Sequence, residues 1–362
     1  MRKVKEEIGE NLKMRKVKIG INGFGRIGRE VFREVKDNYS DYLEVVAIND
    51  LGAPNQLAHL LFFDSAYGKW GNHNIKVNRD VSSGIAWLEV DGESVTLYSF
   101  DDPKRIPWAD SGAEIIVEAS GRFLDFNGAY SHISAGAKRV LLTAPSKSNE
   151  VKTIVYGVNE SILLAEDKVV SAASCTTNCL APVAQVIKDN FGIKSAFMTT
   201  IHAVTSDQRV VDSSHSDLRR ARSSLNNIIP TSTGAAKAIY KVIPDLKGKL
   251  DGISIRVPVI TGSLVDLSVV VEKSCSVQEI NDAFKRSVSD VLGYLEVPVV
   301  STDIIGDNHG GLFDSLLTSV VKTEGEKGKM IKVFAWYDNE SSYVSQFART
   351  LKYFSELYLL ST

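Results

Sequence analysis

Cysteine is scarce: three in 362 residues cannot build a disulfide framework, which points to a reducing compartment where a thiol stays free for chemistry. Long apolar runs are missing too. The greasiest stretches, such as Ile115 to Val117 and Val269 to Val271, break off within a few residues, so no transmembrane helix and no membrane partner are expected. Excess charge of either sign is absent: 42 Lys and Arg against 44 Asp and Glu leave a net charge of -2, which supplies no overall field for nucleic acid. The first 13 residues, MRKVKEEIGENLK, mix both signs and lack the apolar block and cleavage site of a secretory signal, so a cytoplasmic location is expected. Val4, Ile8 and Leu12 recur there at helical spacing, as in a short helix, a read-through from a start before Met14, or added residues; no function is assigned to them. What is present is an average globular composition, 44% hydrophobic and 24% charged, with length for two domains at roughly 150 residues each.

From Met14 the order is an apolar run Val17 to Ile21, a glycine cluster, a helical stretch, and a second run Leu43 to Ile48, which is a βαβ unit. The cluster is Gly23-Phe24-Gly25-Arg26-Ile27-Gly28, and Asp50 closes the second strand at about the 20-residue spacing of a dinucleotide fingerprint. Glycines let the backbone approach a pyrophosphate, the helix N-terminus offers N–H donors, and the carboxylate accepts from a ribose hydroxyl. Asp50 also repels a 2′-phosphate, favouring NAD over NADP. The alternative is a glycine-rich turn in an ordinary α/β protein. Further buried-type strands are expected at Glu114 to Val117, Arg139 to Leu142, Thr153 to Tyr156 and Val169 to Ser171, which places Ser120 and Thr143 on the cofactor side of a doubly wound sheet, unless those loops merely connect.

After residue 175 the pattern becomes β-rich, with Ile253 to Val259, Leu264 to Glu272 and Ile331 to Tyr337 suggesting a second, α+β domain on a mostly antiparallel or mixed sheet. Gln278 to Leu292 and Ser342 to Leu360 read as helices. The expected division is an extension over 1-13, a Rossmann-type dinucleotide-binding domain over 14-174 and 339-362, and a catalytic domain over 175-338.

Ser174-Cys175-Thr176-Thr177-Asn178-Cys179 ends a strand and opens a helix, so the Cys175 thiol is expected to have a lowered pKa; Pro182 is expected to kink or restart that helix. A helix of about 15 residues covers ~22 Å and a returning strand of about seven covers ~23 Å. His202, at the end of that strand, can therefore face Cys175, and the pair reads as nucleophile and base.

Lys18 to Arg29, Ser174 to Pro182, Thr199 to Gln208, Asp217 to Arg222, Ile229 to Ala238 and Trp336 to Glu340, in that order, resemble the glyceraldehyde-3-phosphate dehydrogenases. The resemblance covers nearly everything from Lys16 to the last helix. It implies a phosphorylating oxidation in which aldehyde, NAD and inorganic phosphate give an acyl phosphate and NADH, with Cys175 adding to the aldehyde and His202 taking the hydroxyl proton. The Cys175 amide and His202 would also steady the oxyanion. It further implies Thr205 and Arg256 at the substrate phosphate, and Ser174, Thr176, Thr233, Gly234 and Arg220 at the attacking phosphate. Gly23, Gly25, Arg26, Ile27, Asp50, Ser120, Thr143, Asn339 and Tyr343 would bind the cofactor, Asn339 at the nicotinamide carboxamide and Tyr343 against its ring. A homotetramer with 203–227 at a subunit contact is implied as well.

Two departures stand out. Ser341-Ser342 replaces a common Trp-Gly, which predicts looser packing near the nicotinamide, and Ser213-Ser214 replaces a Leu-Pro pair common in NAD-specific members, which predicts secondary use of NADP beside NAD. Lys322 to Lys329 reads as a hydrophilic hairpin. Erythrose-4-phosphate dehydrogenase and a non-catalytic nucleotide-binding redox sensor are the rival functions, and the cluster Arg219, Arg220 and Arg222 has a solvated or nucleic-acid-facing patch as its alternative role. Cys179 and Cys275 are expected as packing residues, Cys179 having an oxidative partnership with Cys175 as its alternative. His59, His73, His132, His215 and His309 show no metal-ligand spacing, so no metal is predicted.

Overall fold

The computed structural model describes residues 15–82, 84–323 and 325–361, so the N-terminal segment with its helical spacing lies outside the described residues. The chain forms two compact units: one runs from the described N-terminus to Ile154 with Glu160–Ala173 and Phe347 onward, the other holds Val155–Asn159 and Ser174–Gln346.

In the first unit, strands rich in Val, Ile and Leu are buried on both faces, as a parallel sheet covered by helices requires. Its nine strands lie in the order Lys152–Thr153, Val169–Ser171, Arg139–Leu142, Ile115–Glu118, Val17–Asn22, Leu43–Asn49, Glu93–Tyr98, Ala86–Val90 and Ile75–Arg79. The first seven are parallel and the last two add antiparallel strands at the edge. Strand order reverses on either side of Val17–Asn22, so the crevice beyond its carboxyl end is the switch point where doubly wound sheets bind ligands.

The edge strands were not foreseen, although Asp91-Gly92 carries their signal. Both residues have positive φ, 53° and 85°, the two-residue hairpin turn that an Asp-Gly pair favours. The strand expected over Thr153 to Tyr156 is confined to Lys152–Thr153, and one further backbone bond, Ile154 N to Ser171 O, continues the pairing.

The helix Arg26–Asn38 buries Val31, Phe32 and Val35 together with Gly28. A Cβ on Gly28 would stand 2.1 Å from the Gly23 carbonyl oxygen, so only glycine lets this helix start so close to the preceding turn.

The second unit is built on an eight-stranded mixed sheet. Its main order is Ile229–Ser232, Leu250–Arg256, Ile193–His202, Ser263–Cys275, Gly328–Tyr337, Gly311–Asp314 and Leu292–Leu295, with Ser319–Val321 also paired to Gly328–Tyr337. Alternating burial along Ser263–Cys275 marks one core-facing side. The helix Cys175–Phe191 covers that sheet and comes close at Gly311, whose Cβ would lie 3.0 Å from Cys179 Sγ. It is continuous through Pro182, so the helix does not begin again there, and Pro182 has no N–H to give the Asn178 carbonyl.

The helix foreseen from Gln278 to Leu292 is shorter, Val277–Arg286, and its start is fixed by a reciprocal capping box between Ser276 and Glu279. The last helix is Ser341–Leu359. The hydrophilic connection before Gly328 does join antiparallel strands, Lys322 pairing with Glu326 and Lys327 with Glu279 at 2.6 Å. Replacement of Gly28 by alanine should cost about 1–3 kcal/mol of stability by forcing the helix off the sheet. Denaturant titration checks this, and an unchanged midpoint would contradict the close packing.

Candidate active site

The thiol is placed by a strained turn and a capped helix. Ala173 takes the left-handed region at φ 59°, and Ser174 then caps the helix by accepting from the Thr177 amide at 3.2 Å. Cys175 is the first helical residue, and its Sγ lies 3.4 Å from His202 Nε2. His202 ends the strand Ile193–His202, directly in register with Arg256 on the neighbouring parallel strand. That register brings Arg256 Nη1 to 2.7 Å from His202 Nδ1 and 3.1 Å from the Ala203 carbonyl. The Ala203 carbonyl, 2.7 Å from Nδ1, selects the tautomer whose Nε2 lone pair faces Sγ, whereas Arg256, which only donates, competes for Nδ1 and selects the opposite one. Arg256 Nε is buried with no partner, a donor left available to an anion.

Burial pushes the Cys175 thiol up and drives His202 down to about 3, with the Arg256 charge adding to the effect on the imidazole. The expected lowering of the thiol pKa is therefore corrected. The charge of Arg256 and hydrogen bonds from the Thr176 backbone and side chain do favour thiolate, but desolvation of the sulfur outweighs them in the unliganded chain.

Other side chains hold this pair in place. Tyr337, 1% exposed, meets Thr176 Oγ1 and Thr200 Oγ1 at 2.8 Å each, and its ring stands edge-on to His202 with centroids 5.9 Å apart. Thr200 was not singled out from sequence, yet it lies two residues before His202 on the same strand and so shares its face. Tyr343 is buried, and the Cys175 charge adds to the burial that raises its phenol.

Asn339 Oδ1 accepts from Ser263 at 2.9 Å and Thr261 at 3.3 Å, which commits its oxygen inward and leaves its amide hydrogens for a ligand. Asp338 accepts from Thr261 at 2.7 Å and from the amides of Gly306 at 2.9 Å, Glu340 at 2.9 Å and Ser341 at 3.1 Å. At Ser341-Ser342, where looser packing is expected, Ser342 is buried and donates to the Asp338 carbonyl at 2.6 Å.

A second cationic group stands around Arg220. Its Nε donates to Thr231 Oγ1 at 2.9 Å, its Nη2 to the Ser232 carbonyl at 3.3 Å, and its Nη1 to Asp207. Thr233 and Gly234 follow directly, opening the helix Ala235–Val242, whose first amide donates to Thr233 Oγ1 at 3.2 Å. Thr205 is held through its amide by Gln208 Oε1 at 3.2 Å, and no hydrogen bond joins it to Arg256 among the described residues. The neighbouring Arg222 pairs with Asp212 at 2.9 Å.

In the first unit the glycine cluster has the shape of a phosphate cradle. Gly23 sits at φ 91°, where a Cβ would lie 2.5 Å from the Ser120 amide, while a Cβ on Gly25 would meet nothing within 4 Å. No side chain caps the N-terminus of the following helix and no acid stands in its first turn, so an anion is suited to that place. Asp50 accepts from the amides of Phe24 at 2.7 Å and Gly52 at 2.8 Å, tying the second strand to the loop. Arg26 spends its guanidinium on Asp64 at 2.8 and 3.1 Å.

Ser120 and Thr143 both bond to Glu118, Ser120 Oγ to its carboxylate at 2.5 Å and Thr143 Oγ1 to its carbonyl at 3.0 Å. Glu118 is fully buried and also accepts from Asn22 at 2.6 Å and His132 at 2.9 Å. Since Trp108 donates to His132 Nδ1 at 3.1 Å, the Nε2 of that ring carries the hydrogen given to Glu118. Sequence reading missed this network because its members are scattered along the chain. The helix N-terminus without a side-chain cap and the open space at Gly25 fit a dinucleotide pyrophosphate.

Cys179 and Cys275 are buried, with thiols pushed up by desolvation, Cys275 to about 11. Among the described residues no group of three His, Cys, Asp or Glu is arranged to hold a metal ion, and no helix is long and apolar enough to cross a membrane. Arg256→Leu should move the pH midpoint for alkylation of Cys175 upward, because the removed cation stabilises thiolate; a downward shift would contradict the assignment.

Residues 17–126 match the NAD binding domain of glyceraldehyde 3-phosphate dehydrogenase, and residues 174–339 match the C-terminal domain of the same family. The chain is 48% identical over 342 residues to the glyceraldehyde-3-phosphate dehydrogenase of Clostridium acetobutylicum, covering 94% of this chain and 99% of the relative. Its identity to the enzyme of Mycoplasma pneumoniae is 49% over 345 residues, covering 95% and 99%, and to that of Streptococcus pyogenes 48% over 344, covering 94% and 99%. Both domains in order, at this identity and coverage, make the chain a member of the glyceraldehyde-3-phosphate dehydrogenase family.

Proposed function

We propose that this chain oxidises D-glyceraldehyde 3-phosphate, with NAD and inorganic phosphate, to 1,3-bisphosphoglycerate through a thioester on Cys175. The observation that carries the reading is the Cys175 Sγ to His202 Nε2 approach of 3.4 Å at a helix N-terminus, beside Arg256, whose buried Nε has no partner.

Cys175 Sγ adds to the aldehyde carbon, its proton ending on the new oxygen, to give a thiohemiacetal. His202 Nε2 then accepts that hydroxyl proton as the carbonyl re-forms. When bound, NAD supplies the hydride acceptor that makes this step an oxidation to thioester. A phosphate oxygen attacks the thioester carbon, the C–S bond breaks, and the proton on His202 returns to sulfur. The low imidazole pKa suits His202 to holding that proton only transiently.

Arg256 and Thr205 take the substrate phosphate, and Ser174, Thr176, Thr233, Gly234 and Arg220 the attacking phosphate, for which hydroxyls, amides and guanidinium forks are the fitting donors. Gly23, Gly25, Arg26, Ile27, Asp50, Ser120 and Thr143 hold NAD in the dinucleotide domain, while Asn339 and Tyr343 serve the nicotinamide. Asp50 opposes NADP, and Ser213-Ser214 leaves it secondary use. The segment 203–227 would join subunits of a homotetramer; exposed Val210, Val211, Leu218 and Leu225 support this. Three free cysteines suit work in the cytoplasm.

The intact loop Thr231 to Ala236 favours this enzyme over an erythrose-4-phosphate dehydrogenase. A phosphate-titrated assay of both aldehydes with both cofactors tests the reading, which requires phosphate-dependent NADH production from glyceraldehyde 3-phosphate. Cys175→Ser should abolish turnover yet keep NAD binding, and retained turnover would exclude the mechanism. Gly25→Ala should weaken NAD binding by about tenfold, since a methyl would fill the open space beside the helix N-terminus. Calorimetric titration reads this, and undiminished affinity would remove the cradle.

A further inference from the structure

We propose that Asp207 is a built-in competitor for the attacking-phosphate site: it occupies Arg220 in the resting protein, phosphate displaces it, and it thereby sets the KM for phosphate. This rests on the assignment of Arg220 to inorganic phosphate made above.

The guanidinium of Arg220 is fixed without Asp207. Its Nε and Nη2 are held by Thr231 and Ser232 on one strand, and Thr231 Oγ1 in turn donates to Asp217 Oδ2 at 3.0 Å. Only Nη1, the remaining edge, is given to Asp207. The Asp207 side chain is 56% exposed in the single chain, and a second partner lets it withdraw from Arg220. His215 Nδ1 accepts from the Asp217 amide at 2.8 Å, so its Nε2 carries a hydrogen, and that hydrogen points to Asp207 Oδ1 across 3.4 Å.

Partial burial pushes the Asp207 carboxyl up, but Arg220 and His215 hold it below the usual range, so it is an anion near neutrality. Two anions cannot share one guanidinium edge without repulsion. A monocarboxylate brings no more charge than Asp207, which also has the advantage of being tethered. A phosphate dianion brings twice the charge and finds close along the chain the Thr233 hydroxyl, which accepts from the Ala235 amide at 3.2 Å, and the start of the helix Ala235–Val242. The competition thus favours phosphate over weaker anions.

In Asp207→Asn the KM for phosphate should fall roughly two- to fivefold relative to that for the aldehyde, the range expected when an exposed ion pair stops competing. Asp207→Ala should shift it the same way. In an Arg220→Ala background, Asp207→Asn should have no such effect. A KM for phosphate that rises or does not change in Asp207→Asn overturns the proposal, as does the same fold-change with Arg220 absent. A merely structural role would instead raise both KM values and lower kcat together. If the unmodified protein makes NADH with no dependence on phosphate, the assignment of Arg220 fails; phosphate dependence with an unresponsive Asp207→Asn sinks this inference alone.

Discussion

The register of one strand governs the chemistry of this protein. Ile193–His202 is clamped between a parallel neighbour, Leu250–Arg256, and an antiparallel one, Ser263–Cys275. A slip of one residue would turn every side chain to the opposite face. In the observed register His202 stands beside Arg256, Thr200 meets Tyr337, and the imidazole reaches the thiol at 3.4 Å. The helix that leads from Cys175 has 17 residues and rises about 25 Å, and the 10-residue strand returns over about 33 Å, so the two ends meet at one edge of the sheet.

That arrangement keeps charge in a partly buried place with too little to balance it. Arg256 is mostly surrounded by protein, its Nε lacks a partner, and the electrostatic field at its guanidinium includes Cys175, Arg220 and Asp207. Desolvation holds sulfur and imidazole near their neutral forms, so the site is poised for a ligand that brings negative charge of its own. Anionic substrates are therefore complementary to the unliganded chain, and the same arginine that attracts them also lowers the cost of a thiolate.

The first unit solves a different problem with the same economy. Glu118, fully buried, gathers Asn22, Ser120 and His132, and His132 is oriented in turn by Trp108. A strand end at Asn22, a loop at Ser120 and a helix at His132 are thus tied to one carboxylate at the switch point of the sheet, beside a glycine turn that leaves room at Gly25 and none at Gly23 or Gly28. Rigid polar wiring beneath a cleared backbone surface is what recognition of a pyrophosphate requires.

Much of this was legible along the chain because it is local. The glycine cluster, Asp50, the helix start at Ser174-Cys175 and the doubly wound pattern follow from spacing and residue type, and family membership follows from the order of the motifs. Long-range partners were not legible: Glu118 with His132, Asp338 with Thr261, and Asp207 with Arg220 are neighbours only after the sheets form. The protonation of Cys175 was misjudged for the same reason. A helix N-terminus can be read from sequence, but the desolvation that outweighs it depends on what packs around the sulfur. Residue order by itself determined which groups the protein owns and roughly where each element starts; tertiary structure alone decided their electrostatic state and their partners, because burial and register are properties of the assembled sheet.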